Sequence, residues 1–129
     1  MILLKKLIII TTNPNHFARN LNYDNLAVEY YDELDMTKVL EDLAEKHNVD
    51  YMTIQSGGSL NGLFLRENLI DYVNIVVAPI LIGGKDVVTL IDGEAISGDD
   101  ELHKLRALEL QECNKLNGSY VQLKYKVIK

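Results

Sequence analysis

The sequence predicts an α/β fold with a mixed, mostly parallel sheet, helices packed on it and an antiparallel hairpin at the C-terminal end. Three observations support this prediction. Strand-like and helix-like stretches alternate along most of the chain, a strand meets a helix at Gly57-Gly58, and Asn117-Gly118 separates two alternating segments. Alternating elements favour right-handed crossovers between parallel strands, whereas Asn-Gly is the strongest two-residue hairpin signal.

Composition points to one domain of ordinary size. The chain has 129 residues, of which 47% are hydrophobic, and a formal net charge of −6. That length fits one hydrophobic core, and the acidic charge argues against nucleic acid or an anionic membrane surface as the main partner. The apolar runs are too short to span a membrane, and the single cysteine, Cys113, fits a reducing compartment. We therefore expect a cytoplasmic protein that binds neither nucleic acid nor membrane.

The first part of the chain reads as two strands and a helix. Leu3–Thr12 contains four consecutive apolar residues, which predicts a strand covered on both faces. The polar turn Thr11-Thr12-Asn13 then lies on the edge of the sheet where α/β proteins bind ligands. Leu26–Tyr31 predicts a second strand, and Asp35 predicts the N-cap of a helix ending near His47. We interpret His47 as a partner of the helix dipole rather than as a ligand.

The stretch from Val49 to Asn68 predicts a strand, a sharp turn and an amphipathic helix. Val49–Ile54 has the β-branched and aromatic composition of a strand. Gly57 and Gly58 lack a Cβ where the chain turns, and Ser59 is positioned to cap the helix. Because a helix N-terminus has N–H groups without partners and a partial positive charge, this corner suits either a phosphate or carboxylate site or a simple tight turn.

The later part of the chain predicts one more strand, a glycine loop and the hairpin. Tyr72–Ala78 is strand-like and is ended by Pro79, while Gly83-Gly84 is either a second ligand loop or a simple bend.

Asn117-Gly118 as a two-residue hairpin loop would place Leu116 opposite Ser119, Leu110 opposite Tyr125 and Leu108 opposite Val127. In that register the apolar side chains share one face and Cys113 lies on the other.

No catalytic or metal-binding motif is recognisable in the sequence. His16, His47, His103 and Cys113 are far apart along the chain, so no metal site is predicted and no catalytic residue is assigned. A Walker loop is excluded because Leu63 stands where that motif needs lysine. Backbone-donor loops at strand ends remain, and these suit a phosphorylated cofactor that carries the reaction itself.

The stretch IQSGGSLNGLFLRENLIDYVNIVVAPILIGGK, Ile54–Lys85, resembles the C-terminal reductase domain of bacterial and archaeal riboflavin biosynthesis, within the dihydrofolate-reductase-like superfamily. That family has a Glu-Gly-Gly type loop, a Leu-Asn helix start, a Leu-(Val/Ile)-Asp pair, a strand ending in Ala-Pro and a Gly-Gly loop. The matching residues, in the same order, are Gln55-Ser56-Gly57-Gly58, Leu60-Asn61, Leu69-Ile70-Asp71, Ala78-Pro79 and Gly83-Gly84. The flanking elements follow the family's order too, so the resemblance covers nearly the whole chain.

This resemblance implies a dihydrofolate-reductase-like fold that binds NADPH and transfers hydride to a small molecule, a pterin-like or ribosylaminopyrimidine substrate. The implied cofactor-binding residues are Thr11, Thr12, Asn13, Ser56, Gly57, Gly58, Ser59, Leu60, Gly62, Gly83 and Gly84. The backbone of Ser56 to Gly62 would hold the pyrophosphate, and Thr11 to Asn13 would lie on the adenosine 2′-phosphate side. Gln55 stands where the family has a substrate-side Glu, and it lacks the negative charge of that residue.

Relative to that family, the chain begins after an N-terminal segment that carries a Ser-x-Asp-Gly-like motif. The expectation is therefore a single, truncated reductase-like domain over residues 1–129. Two alternatives follow: a reductase completed by that segment or by a partner chain, or a non-catalytic nucleotide-binding module of the same fold. Because the missing segment would leave a sheet edge unpaired, a homodimer that covers the edge is also expected.

Overall fold

The computed structural model describes residues 5–129, which form two compact units, one up to Val49 and one from Asp50 onward. The first unit contains β1 (Leu7–Thr11), β2 (Leu26–Tyr30) and α1 (Met36–His47). The second contains α2 (Gly58–Arg66), β3 (Tyr72–Val77), β4 (Leu108–Lys115) and β5 (Val121–Val127). Among residues 5–129, no helix has the length and apolar character needed to cross a membrane.

In the first unit, β1 and β2 pair in parallel, from Leu7 opposite Leu26 to Thr11 opposite Tyr30. Both strands were predicted, although the start of the first prediction, at residues 3 and 4, lies outside the described residues. No residue of β1 is buried, so the prediction that it is covered on both faces is wrong. A two-stranded sheet offers too little surrounding structure to cover both faces of a strand.

The predicted start of helix α1 after Asp35 and its predicted end near His47 are both confirmed. The side chain of Asp35 accepts a hydrogen bond from the backbone N–H of Lys38 at 3.2 Å, as an N-cap does. Asn48 ends the helix in the left-handed conformation, with φ of 53°. The buried face of the helix includes Met36 and Val39.

His47 has a more specific role than that of a dipole partner. It lies in the last turn of α1, and its Nε2 atom is 2.8 Å from Oε1 of Glu29 on β2. On the other side of the ring, Nδ1 is 2.9 Å from Nζ of Lys6. These contacts tie the end of α1 to the strand beside it.

Tyr31, which is buried just after β2, makes a second link to α1. Its hydroxyl donates to Oδ2 of Asp42 at 2.7 Å. Burial, followed by this bond to a carboxylate, raises the pKa of Tyr31 to about 12. The same bond, together with Lys46 at 3.1 Å, lowers the pKa of Asp42.

In the second unit, β5 lies between β3 and β4 and pairs antiparallel with both. The strand predicted at Tyr72–Ala78 is confirmed as β3. The two most buried apolar side chains of this unit are Phe64 on α2, which is 5% exposed, and Val127 at the end of β5, which is 4% exposed.

The mixed α/β class is confirmed, but the balance of strand pairing differs from the prediction. Within the described residues only β1 and β2 pair in parallel, so the expectation of a mostly parallel sheet is wrong.

The strand predicted at Val49–Ile54 does not form, and Tyr51 within it is 87% exposed. A strand composition forms a strand only where a neighbouring strand completes its hydrogen-bond ladder, and no strand among residues 5–129 pairs with this segment.

The hairpin between β4 and β5 confirms two predicted pairs, Leu108 opposite Val127 and Leu110 opposite Tyr125. The connection differs, because residues 117–119 form a three-residue turn in which Gly118 and Ser119 both have positive φ. Leu116 therefore donates its backbone N–H to the carbonyl of Tyr120 at 2.8 Å and does not face Ser119.

A bulge between Leu110 and Glu112 compensates for the longer turn. An extra residue in one strand moves the side chains beyond it to the opposite face. Cys113 consequently pairs with Leu123, on the face that also carries Tyr125. The predicted orientation of Cys113 is therefore wrong, and its side chain is exposed.

Candidate functional site

The N-terminal end of α2 is formed without any side-chain cap. Gly57 is the N-cap residue, in extended backbone, and has no side chain that could accept a hydrogen bond. Ser59 lies inside the first turn of the helix, so the prediction that it caps α2 is wrong. The first turn contains no acidic residue either. The exposed N–H groups and the partial positive charge of this end are therefore not compensated by the helix's own residues.

An open cleft of about 410 Å³ lies at this end of α2. Its lining residues are Ser56, Gly57, Gly58, Ser59, Asn61, Val88, Thr89, Leu90 and Asp92. Four predicted cofactor positions thus come together here, namely Ser56, Gly57, Gly58 and Ser59. They meet a later loop of the chain, which contributes Val88, Thr89, Leu90 and Asp92.

Asn61 connects the two walls of the cleft. Its Oδ1 atom accepts a hydrogen bond from the hydroxyl of Ser56 at 2.7 Å. Its Nδ2 atom donates to the backbone carbonyl of Leu90 at 3.0 Å. One amide side chain therefore holds both the loop before α2 and the loop opposite.

Gly58 and Gly62 allow the opposite loop to approach the helix closely. A Cβ on Gly58 would lie 2.6 Å from Cγ of Asp92, and a Cβ on Gly62 would lie 2.2 Å from the backbone oxygen of Asp92. The backbone N–H of Asp92 also donates to the carbonyl of Gly58 at 3.0 Å. By contrast, a Cβ on Gly57 would meet no atom within 4 Å. The space at Gly58 and Gly62 is thus filled by the chain itself, whereas the space at Gly57 is open.

Arg66 holds the same loop farther along the helix. Its Nη2 atom donates to the carbonyl of Glu94 at 2.8 Å. The guanidinium packs against Gly93, which has a φ of +130° and where a Cβ would lie 2.6 Å from Nη2. The loop from Leu90 to Glu94 is therefore fastened along one face of α2.

Asp92 is the charged residue among those that line the cleft. Its Oδ1 atom accepts a hydrogen bond from the hydroxyl of Thr89. The cleft thus combines the positive end of α2 with one carboxylate and the hydroxyls of Ser56, Ser59 and Thr89. These groups can bind anionic or hydroxylated ligands by hydrogen bonds.

The other predicted positions of the second unit are not among the lining residues. Gln55 is exposed beside Ser56, and Leu60 is 40% exposed. Gly83 and Gly84 belong to an exposed loop in which Gly84 has a φ of +129°. The positive φ explains a glycine at position 84 by backbone geometry alone.

In the first unit, Thr11, Thr12 and Asn13 form the predicted polar turn after β1. The backbone N–H of Asn13 donates to Oγ1 of Thr11 at 3.0 Å, and Oδ1 of Asn13 accepts from the backbone N–H of Asn15 at 2.9 Å. Thr12 is exposed. Two of the three predicted side chains are therefore engaged in holding the turn itself.

A larger groove, of about 580 Å³, lies elsewhere in the second unit. It runs along the ends of β3 and β5, where Lys129 is paired with Asp71 at 2.7 Å. It contains none of the predicted site residues. In the part of the chain that the structure describes, no group of three or more His, Cys, Asp or Glu residues is arranged to hold a metal ion.

Sequence reasoning missed Asn61 as a site residue, and it missed Thr89, Leu90 and Asp92 altogether. The signal for the loop was the spacing of Gly58 and Gly62, since small residues four apart on a helix permit close approach of another backbone. Nothing in the sequence near these glycines indicates that the approaching backbone is that of Asp92.

The parallel strand pair, the antiparallel sheet and the glycine-initiated helix define a mixed α/β domain with a dihydrofolate-reductase-like fold. The chain belongs to the RibD C-terminal domain family, whose model matches residues 3–121.

Similar sequences include the 2,5-diamino-6-ribosylamino-4(3H)-pyrimidinone 5′-phosphate reductase of Methanothermobacter thermautotrophicus. It is 35% identical over 68 residues, which is 53% of this chain and 30% of the relative. The riboflavin biosynthesis protein RibD of Actinobacillus pleuropneumoniae is 33% identical over 95 residues, 74% of this chain and 24% of the relative. The matches cover 24% to 37% of the length of such relatives.

Solved structures agree on the fold. The RibD of Acinetobacter baumannii, form 2, superposes with a TM-score of 0.70 at 16% identity, covering 94% of this chain and 37% of that chain. A putative riboflavin biosynthesis protein from Shewanella sp. PV-4 superposes with a TM-score of 0.64 at 20% identity. This match covers 96% of this chain and 61% of that chain.

Proposed function

We propose that this chain binds NADPH as part of a reductase that transfers hydride to a ribosylaminopyrimidine phosphate. The observation that supports it most is the uncapped N-terminus of α2, which opens into the cleft at a glycine whose Cβ position is vacant. Such a helix end favours phosphate groups, and the names of the relatives supply the substrate class.

The residues at the cleft fit a pyrophosphate group. Within the stretch from Ser56 to Gly62, the backbone N–H groups up to Leu60 would donate to its oxygens, because the N–H of Asn61 already donates to the carbonyl of Gly57. The hydroxyls of Ser56, Ser59 and Thr89 lie beside them. The turn from Thr11 to Asn13 would serve the adenosine 2′-phosphate, and Gln55 would lie on the substrate side. The cofactor, when bound, supplies the hydride.

A second candidate is a nucleotide-binding module without turnover. The observation in its favour is that Asp92 is the single charged side chain in the described lining of the cleft, so general acid–base groups are sparse there. A module of this kind would make the same contacts with NADPH as the reductase.

Titration of the purified chain with NADPH, followed by calorimetry, tests both candidates. We expect a saturable 1:1 isotherm, and weaker binding of NADH because it lacks the 2′-phosphate. Reduction of a ribosylaminopyrimidine phosphate would favour the reductase, and binding without turnover would favour the module. Absence of binding at millimolar NADPH would contradict both.

We also propose that the protein is a cytoplasmic homodimer. β3 and β4 are the outer strands of the antiparallel sheet, and every residue of β4 is exposed. On β3, Val76 and Val77 are 53% and 48% exposed. Neither strand has a second neighbour among residues 5–129, and such edges with apolar side chains favour pairing with a second copy. Light scattering at micromolar concentration should give twice the 14.6 kDa chain mass, and a monomer would contradict the proposal.

A further inference from the structure

Helix α2 receives its negative partner from a distant part of the chain. Neither its N-cap, Gly57, nor its first turn supplies an acidic side chain. The carboxylate nearest to Gly58 is that of Asp92, which lies 34 positions later in the sequence.

The Asp92 carboxylate lies directly against the first residue of the helix. Its Cγ and Oδ2 atoms are 2.6 Å, and its Oδ1 atom 2.8 Å, from the position a Cβ of Gly58 would occupy. Because Cα–Cβ bonds in a helix tilt toward its N-terminus, this position lies beside the uncapped end. The carboxylate thus lies where negative charge is stabilised by the helix dipole.

Backbone contacts hold Asp92 in place independently of its charge. Its N–H donates to the carbonyl of Gly58 at 3.0 Å, and its carbonyl oxygen packs against the bare Cα of Gly62. Asn61 and Arg66 fasten the residues on either side of it. Replacing the carboxylate by an amide would therefore remove one charge and leave this framework intact.

We propose that Asp92 is an internal anion, which competes with phosphate groups for the N-terminus of α2. Its carboxylate lines the same cleft as Gly57 and Ser59, so a phosphate bound there meets a like charge unless the Asp92 side chain turns away. The competition lowers the affinity of the site for anions. Control of NADPH binding by this competition presupposes that the chain binds NADPH, so this part of the inference rests on the proposed function.

Inorganic pyrophosphate is the probe that tests the competition directly. Calorimetric titration compares the full chain with Asp92→Asn and with Glu109→Gln, which removes one exposed carboxylate on β4. We expect Asp92→Asn to bind pyrophosphate about tenfold more tightly, because a like charge a few ångströms away is removed. Glu109→Gln should stay within about twofold of the unmodified chain, because screening by salt weakens distant charges.

Equal or weaker pyrophosphate binding by Asp92→Asn, or no binding by any chain at 10 mM, would overturn the inference. If Asp92→Asn does not fold, Asp92→Ala replaces it with the same expectation, since it keeps the same backbone bonds. A parallel titration with NADPH separates the two proposals. Tighter pyrophosphate binding without any NADPH binding would support Asp92 as a competitor and contradict the proposed function.

Discussion

Gly62→Ala is expected to destabilise the second unit by about 2 kcal/mol. The new Cβ would lie 2.2 Å from the backbone oxygen of Asp92, so either the loop or the helix must shift. Forcing a methyl group into such a contact costs about 3 kcal/mol, and the better helix propensity of alanine returns about 1 kcal/mol. The midpoint of urea unfolding, followed by circular dichroism, measures the difference.

Gly83→Ala is the matched control, because a Cβ at Gly83 meets no atom within 4 Å and the residue is exposed. Its unfolding midpoint should be unchanged or slightly raised, since alanine restricts the unfolded chain. If the two variants unfold at the same urea concentration, the loop does not pack against Gly62 as described. Faster proteolysis of Gly62→Ala within the loop from Leu90 to Glu94 would identify the element that moves.

Features that depend on residues close together in the chain were predictable. Asp35 identified the start of α1 because an N-cap and the N–H groups it satisfies are neighbours in sequence. The pairs Leu108 with Val127 and Leu110 with Tyr125 followed from a turn only a few residues away. In the same hairpin, the third turn residue could not be predicted, because the bulge that compensates for it has no fixed sequence pattern.

Features that depend on distant partners were not predictable. Val49–Ile54 has a strand composition, but whether a neighbouring strand completes its ladder is decided elsewhere in the molecule. At the cleft, Gly57 and Gly58 looked equivalent in sequence, yet one faces open space and the other faces Asp92. The sequence indicated a turn before a helix at these glycines, but it could not assign these two different roles.

The difference between the two glycines leads to the second prediction, in which stability and binding change in opposite directions. Gly57→Asp should stabilise α2 by about 0.5 kcal/mol, since the N-cap position is extended, unobstructed and suited to a capping carboxylate. The same carboxylate would repel a bound pyrophosphate. Two like charges about 5 Å apart near a protein surface repel by ~3 kcal/mol, so NADPH binding should weaken on the order of 100-fold. Calorimetry and urea unfolding of the same preparation measure both effects.

Gly57→Asn separates charge from capping. Asparagine caps a helix about as well as aspartate and fills a similar volume, so both variants should gain the same stability. Only the aspartate adds charge, and Gly57→Asn should therefore retain NADPH affinity to within several-fold. Equal loss of NADPH affinity in both variants would mean that the space at Gly57, rather than the charge there, limits binding. Unchanged NADPH affinity in Gly57→Asp would mean that the phosphates bind away from α2. A carboxylate introduced at the N-cap must weaken the binding of any anion held at that helix end.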